Sequence, residues 1–195
     1  MAYGVSEKAV LTVAAVVETL LALMFAVWAW YTGYQDRLFP KLIDLGTGVG
    51  LALGLLAFNY FLFGPIAQRF VIFASAQRFI NEVIKPLVEA LDVWSAMLVS
   101  LLAGVGEELF FRGVLQNVLG LVAASVLFAL LHFGTAVRNY PFVALLYTLI
   151  GLYFGWAYLT FHTIWVPIIL HIVYDFLAII FIQRFYFASS SALVD

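Results

Sequence analysis

The chain contains no cysteine. A disulfide framework and a thiolate metal site are therefore excluded, and cysteine usage gives no reading of redox compartment. Charge is scarce as well. Only 10% of the 195 residues are Asp, Glu, Lys or Arg, against about 25% in ordinary soluble domains. The formal net charge is −2, so the basic footprint of a nucleic-acid partner is missing. What is present is apolar: 66% of residues are hydrophobic. No soluble core uses so much, and the class implied is an integral membrane protein built from helices.

Six apolar spans can be read in order. Residues 9–31 form the first, closed by Trp28, Trp30 and Tyr31 at headgroup level. This run exceeds a signal-peptide core and lacks a cleavage site, so it is expected to be retained. Glu18 lies near its centre, either neutral and facing the bundle or contributing to a polar site. Residues 42–63 form the second span, with glycines suited to close helix contact. Residues 66–93 differ. Apolar positions recur three or four apart, with Arg78–Glu82 and Lys85–Glu89 at ion-pair spacing. This predicts an amphipathic helix on the membrane face, kinked or restarted at Pro86. Residues 94–119, a short 120–134, 141–161 and 165–185 complete the set. Gly151 and Gly155 mark a further close contact. No domain boundary or repeat is visible, so residues 1–195 read as one membrane domain. The fold class is all-α, a polytopic bundle of about six transmembrane helices plus one interfacial helix.

Six spans return both termini to one side. That side gathers Lys8, Arg69, Arg78, Lys85, Arg138 and Arg184; the other has Arg37 and Lys41. The positive-inside rule then places both termini in the cytoplasm, in a bacterial inner membrane or its equivalent.

The polar exceptions matter most. Gly106-Glu107-Glu108-Leu109-Phe110-Phe111-Arg112-Gly113 sets two carboxylates and an arginine within a span. Each ionised group at a helix centre costs at least about 2.5–3.5 kcal/mol without partners. Candidate partners are His132, His171 and Asp175. At about 1.5 Å per residue, Glu107 and Glu108 lie roughly 17 Å from the non-cytoplasmic face, His132 roughly 18 Å and Asp175 roughly 15 Å. His171 is shallower, at roughly 9 Å. These depths allow one layer near the midplane. Glu108 and Arg112 are four apart and can pair on one face, as can His171 and Asp175, whereas Glu107 points a quarter-turn away. Phe128 lies one turn before His132 and can back its ring.

The three patterns Glu-Glu-x-x-x-Arg (Glu107, Glu108, Arg112), Phe-x-x-x-His (Phe128, His132) and His-x-x-x-Asp (His171, Asp175) resemble those of the CAAX-protease and bacteriocin-processing family, CPBP. These are intramembrane proteases that include type II CAAX prenyl endopeptidases and relatives linked to bacteriocin processing and immunity. The resemblance covers about residues 94–185; the two-span hairpin 9–63 and the helix 66–93 carry none of its motifs. It implies that Glu107 activates a water with help from His132. It implies that His171 and the residue at 175 stabilise the oxyanion, and that Arg112 with Glu108 is structural or tunes the site. Many members have Asn where this chain has Asp175. An ionised Asp would repel an oxyanion, so Asp175 must be neutral or must orient His171.

The implied function is an intramembrane endopeptidase acting on a membrane-associated or lipidated peptide, with membrane lipid as its surroundings and no cofactor. Glu107, His132, His171 and Asp175 also form an oxygen/nitrogen set of the kind zinc takes. Two other functions fit the sequence. One is a binding member of the fold: an immunity factor, assembly subunit or scaffold in contact with a membrane protein partner. The other is a proton or ion path through Glu18, Glu107, His132 and Asp175. His162 falls in a turn and fits no motif.

Overall fold

The computed structural model describes residues 5–37, 39–62, 73–133 and 137–186, with residues 185 and 186 as backbone only. Seven helices and no strand occur among them. Helix α1 is Glu7–Thr32, α2 is Leu42–Phe61 and α3 runs over residues 74–88. Helix α4 is Val93–Leu119, α5 is Leu121–Phe133, α6 is Pro141–Phe161 and α7 is Trp165–Phe181. All but α3 and α5 are long and apolar enough to cross a membrane, making five such helices. The protein is an all-α integral membrane protein.

The helix ends follow local chemistry. Ser6 and Asp92 cap α1 and α4 by accepting the backbone N–H groups of Ala9 and Ser95. Gly33 ends α1 in the left-handed conformation, with φ 69°. His162 takes the same role after α6 at φ 51°, which gives this unassigned histidine a structural place. Trp30, Tyr31 and Trp94 stand exposed at the ends of α1 and α4, where headgroups suit aromatic rings.

Helices α4 and α7 form the centre. Helix α1 packs on the outer side of α4, α2 on the outer side of α7, and α5 with α6 closes the opposite side. Gly104 makes the central crossing possible: a Cβ there would stand 2.9 Å from the backbone nitrogen of Ile172. Along the antiparallel α5–α6 pair, Gly151 meets Ser125 and Gly155 meets Leu121. The small-residue spacing read in the sequence is thus a real contact.

Two expectations are altered. The expected span 120–134 is the 13-residue helix α5, about 20 Å long against a hydrocarbon core of about 30 Å. Residue 134 lies outside the described residues. The expected amphipathic helix is described only from residue 73, and residues 66–72 lie outside. It consists of Ala74–Phe79, a π turn Ile80–Ile84 and Lys85–Val88. The π turn ends two residues before Pro86, whose ring and missing N–H disrupt a regular helix there. Part of its apolar side is covered by protein, where Ala76 and Phe79 pack with Phe133, Tyr140 and Val143, while Val83 and Leu87 stay exposed. Lys85 and Glu89 meet at 3.7 Å, while Glu82 accepts the Tyr140 hydroxyl.

Candidate active site

The carboxylates project from the last α-helical turns of α4, immediately before a π turn at Phe111–Leu115. Such turns loosen backbone carbonyls. Here the Asn117 side-chain amide donates to the carbonyls of Arg112 and Gly113, both at 2.9 Å. Arg112 and Gln116 then face α6 together. Arg112 Nη2 donates to the Gly151 carbonyl and Gln116 Nε2 to that of Gly155, each at 3.0 Å. Two glycines four residues apart on α6 leave both carbonyls open to approach.

A sealed layer lies behind the site. Glu108 is fully buried, and Arg112 and His171 are nearly so. Arg112 Nε meets Glu108 Oε2 at 3.1 Å, the pair anticipated from spacing. Its guanidinium also lies over the Phe128 and Phe154 rings, 5.1 and 5.5 Å from their centroids. The other Glu108 oxygen, Oε1, lies 2.8 Å from His171 Nδ1. A carboxylate accepts, so Nδ1–H donates and Nε2 points towards the open side.

That open side holds Glu107, His132 and Asp175, whose side chains are 12%, 29% and 33% exposed. Glu107 Oε1 lies 3.5 Å from His132 Nε2, and its Oε2 lies 4.0 Å from His171 Nε2. Asp175 Oδ2 is 3.3 Å from His171 Nε2. His132 Nδ1 is 2.8 Å from the Phe128 carbonyl, so it donates there and Nε2 is aimed at Glu107. The Phe128 ring backs His132 at 4.4 Å between centroids, as its one-turn spacing anticipated.

All seven residues singled out in the sequence therefore meet. Acids from α4 and imidazoles from α5 and α7 share one cluster, and the two faces of α4 are used differently. Residues 89–177 match the family model described as type II CAAX prenyl endopeptidase Rce1-like. Over that stretch the chain is similar to this family of CAAX proteases. No curated protein and no solved structure matches the chain.

The matched stretch contains every motif residue, and it leaves out α1, α2 and α3. Three neighbours of the cluster escape sequence reasoning. The bond from His171 to Glu108 is invisible there, because helical spacing shows only partners on the same helix. Tyr147 packs its ring 5.2 Å from His132 and 4.9 Å from Phe133, and nothing in the sequence marks it among ten tyrosines. Glu18, for which the sequence allows two readings, lies against Gly106. As for zinc, no three His, Asp or Glu side chains among the described residues are spaced to hold one ion. The chemistry proposed below runs on side chains and water.

Proposed function

We propose that the protein is an intramembrane endopeptidase that hydrolyses a peptide bond in a membrane-associated or lipidated peptide. The observation carrying this reading is the position of Glu107. It faces two imidazole Nε2 atoms, at 3.5 and 4.0 Å, on the accessible side of a sealed ion-pair layer. With Glu107 Oε1 and His132 Nε2 3.5 Å apart, one water lying beside the pair could contact both atoms.

In this mechanism Glu107 removes a proton from a water also held by His132 Nε2. The oxygen attacks the scissile carbonyl carbon, and the carbonyl electrons move onto its oxygen. His171, with a proton on Nε2, donates to that oxyanion. Glu108 holds the other ring nitrogen and fixes the ring's orientation, and Asp175 holds the Nε2 proton in place. As the C–N bond breaks, the proton on Glu107 passes to the leaving amine, which restores the carboxylate. Arg112 acts through Glu108 by holding that carboxylate in place. The prenyl endopeptidase description of the family supports a lipidated C-terminal peptide as one substrate class.

The test is cleavage of membrane peptides by purified protein in detergent or liposomes. Glu107→Gln is expected to lower turnover by about 10²–10⁴-fold, the scale of general base catalysis, with an unchanged melting temperature. Full activity in Glu107→Gln would remove Glu107 as the base. Ortho-phenanthroline is expected to leave cleavage unchanged; loss restored by zinc would move the site to the metal class. Absence of any processing, with stoichiometric recovery in a membrane complex, would favour the binding function.

A further inference from the structure

Helix α1 has 26 residues, and the only one of them that is buried is Glu18. A rim helix in lipid exposes its apolar residues and turns an ionisable one towards the bundle interior. Here Glu18 is 8% exposed while Val13, Leu20 and Val27 are open. The contact is built on the facing helix. A Cβ at position 106 would come within 2.6 Å of Glu18 Oε2 and 2.8 Å of the Glu18 carbonyl oxygen. Only glycine beside Glu107 lets this carboxyl in so closely.

On its outer side Glu18 meets a groove of about 290 Å³ between α1 and α4. Apart from Thr19, the groove is walled by aliphatic side chains such as Ala22, Leu23, Leu101 and Val105. That wall gives an ionised carboxylate little to bind. Glu18 Oε2 is buried without a hydrogen-bond partner among the described residues, and so is Glu107 Oε2. Two such oxygens on adjoining helix faces are each costly alone. The charged or titratable groups within electrostatic reach of Glu18 are Glu107, Asp175, His171 and His132. Two ionised carboxylates on adjoining faces repel, whereas a proton shared between them would satisfy both oxygens.

We propose that Glu18 is a positioning residue of the site: its neutral carboxyl donates a hydrogen bond to Glu107 Oε2, which turns Glu107 Oε1 towards His132 and the water. The role rests on the peptidase reading, but the hydrogen bond itself does not. It also gives α1, which the family match does not reach, a part in the chemistry.

The experiment uses Glu18→Gln and Glu18→Leu in the full chain, with melting temperature as a folding control. Gln retains an N–H donor of the same reach; Leu retains bulk alone. Glu18→Leu is expected to lower kcat by about 10–100-fold, the usual effect of losing a supporting hydrogen bond, with KM unchanged. Glu18→Gln is expected to keep the wild-type rate and pH profile. Equal loss in both variants would show that Glu18 works by ionising, and equal activity in both would make it a bystander; either result overturns the proposal. Infrared spectra of the resting protein provide a readout without turnover. A neutral-carboxyl C=O band should vanish in Glu18→Gln and shift in Glu107→Gln. A band indifferent to both substitutions overturns the bond even if cleavage occurs. Wild-type protein that shows the band but cleaves nothing would sink the peptidase reading alone.

Discussion

At the residue scale, the decisive feature is the division of labour between adjacent glutamates. Glu108 is fully buried and bonded to Arg112 and His171, whereas Glu107 keeps some exposure and faces His132. Glu108→Leu would leave the Arg112 guanidinium without its carboxylate and His171 Nδ1 without its acceptor. Breaking a buried pair in this way costs about 3–5 kcal/mol, and the melting temperature in detergent should fall accordingly. Glu107→Gln should leave it unchanged, and a reversed order would invert the assignment. Asp175 gives a finer test. If it orients His171 through Nε2, Asp175→Asn should retain cleavage because its amide oxygen still accepts. Asp175→Leu should lose it, and matching rates in the two variants would contradict the role.

At the element scale, helix contacts depend on particular glycines. Gly104→Ala would push a methyl towards Ile172, including its backbone nitrogen at 2.9 Å. The α4–α7 crossing should lose about 1–3 kcal/mol by overpacking. Gly50→Ala meets nothing within 4 Å, and should be neutral or gain up to about 1 kcal/mol from helix propensity. Thermal unfolding of both variants checks the contrast. The α4 cap sets a pH dependence outside the membrane. The Asp92 carboxyl is held below its usual range by the Ser95 backbone N–H and then by the Ser95 hydroxyl. Its stabilisation is present above the unfolded value of about 3.9. It is lost as pH falls through the lower folded value. Melting temperature should therefore fall on acidification below about pH 4, less steeply in Asp92→Ala. Identical slopes would remove Asp92 from this effect.

At the scale of the whole molecule, the short helix α5 decides topology. If it completes a crossing despite its 13 residues, both termini lie on one side. The absence of native cysteine makes this directly measurable. Ser6→Cys and Ser190→Cys should react alike with an impermeant maleimide in sealed vesicles. Opposite labelling would mean that an odd number of helices cross.

Much of this is legible in the sequence, because a membrane forces apolar length and patterning onto every helix that crosses it. The span boundaries, the Glu108–Arg112 pair and the backing of His132 by Phe128 all depend on spacing along one helix. Helical geometry fixes such spacing wherever the helix sits. Three features are hidden for the opposite reason. The amphipathic face of α3 reads the same whether it meets lipid or the Phe133–Tyr140 cluster. The His171–Glu108 bond and the approach of Glu18 to Gly106 join residues on different helices. Sequence settled which groups had to be shielded from lipid; the crossing of α4 and α7, with α1 pressed against glycine, decided which of them touch.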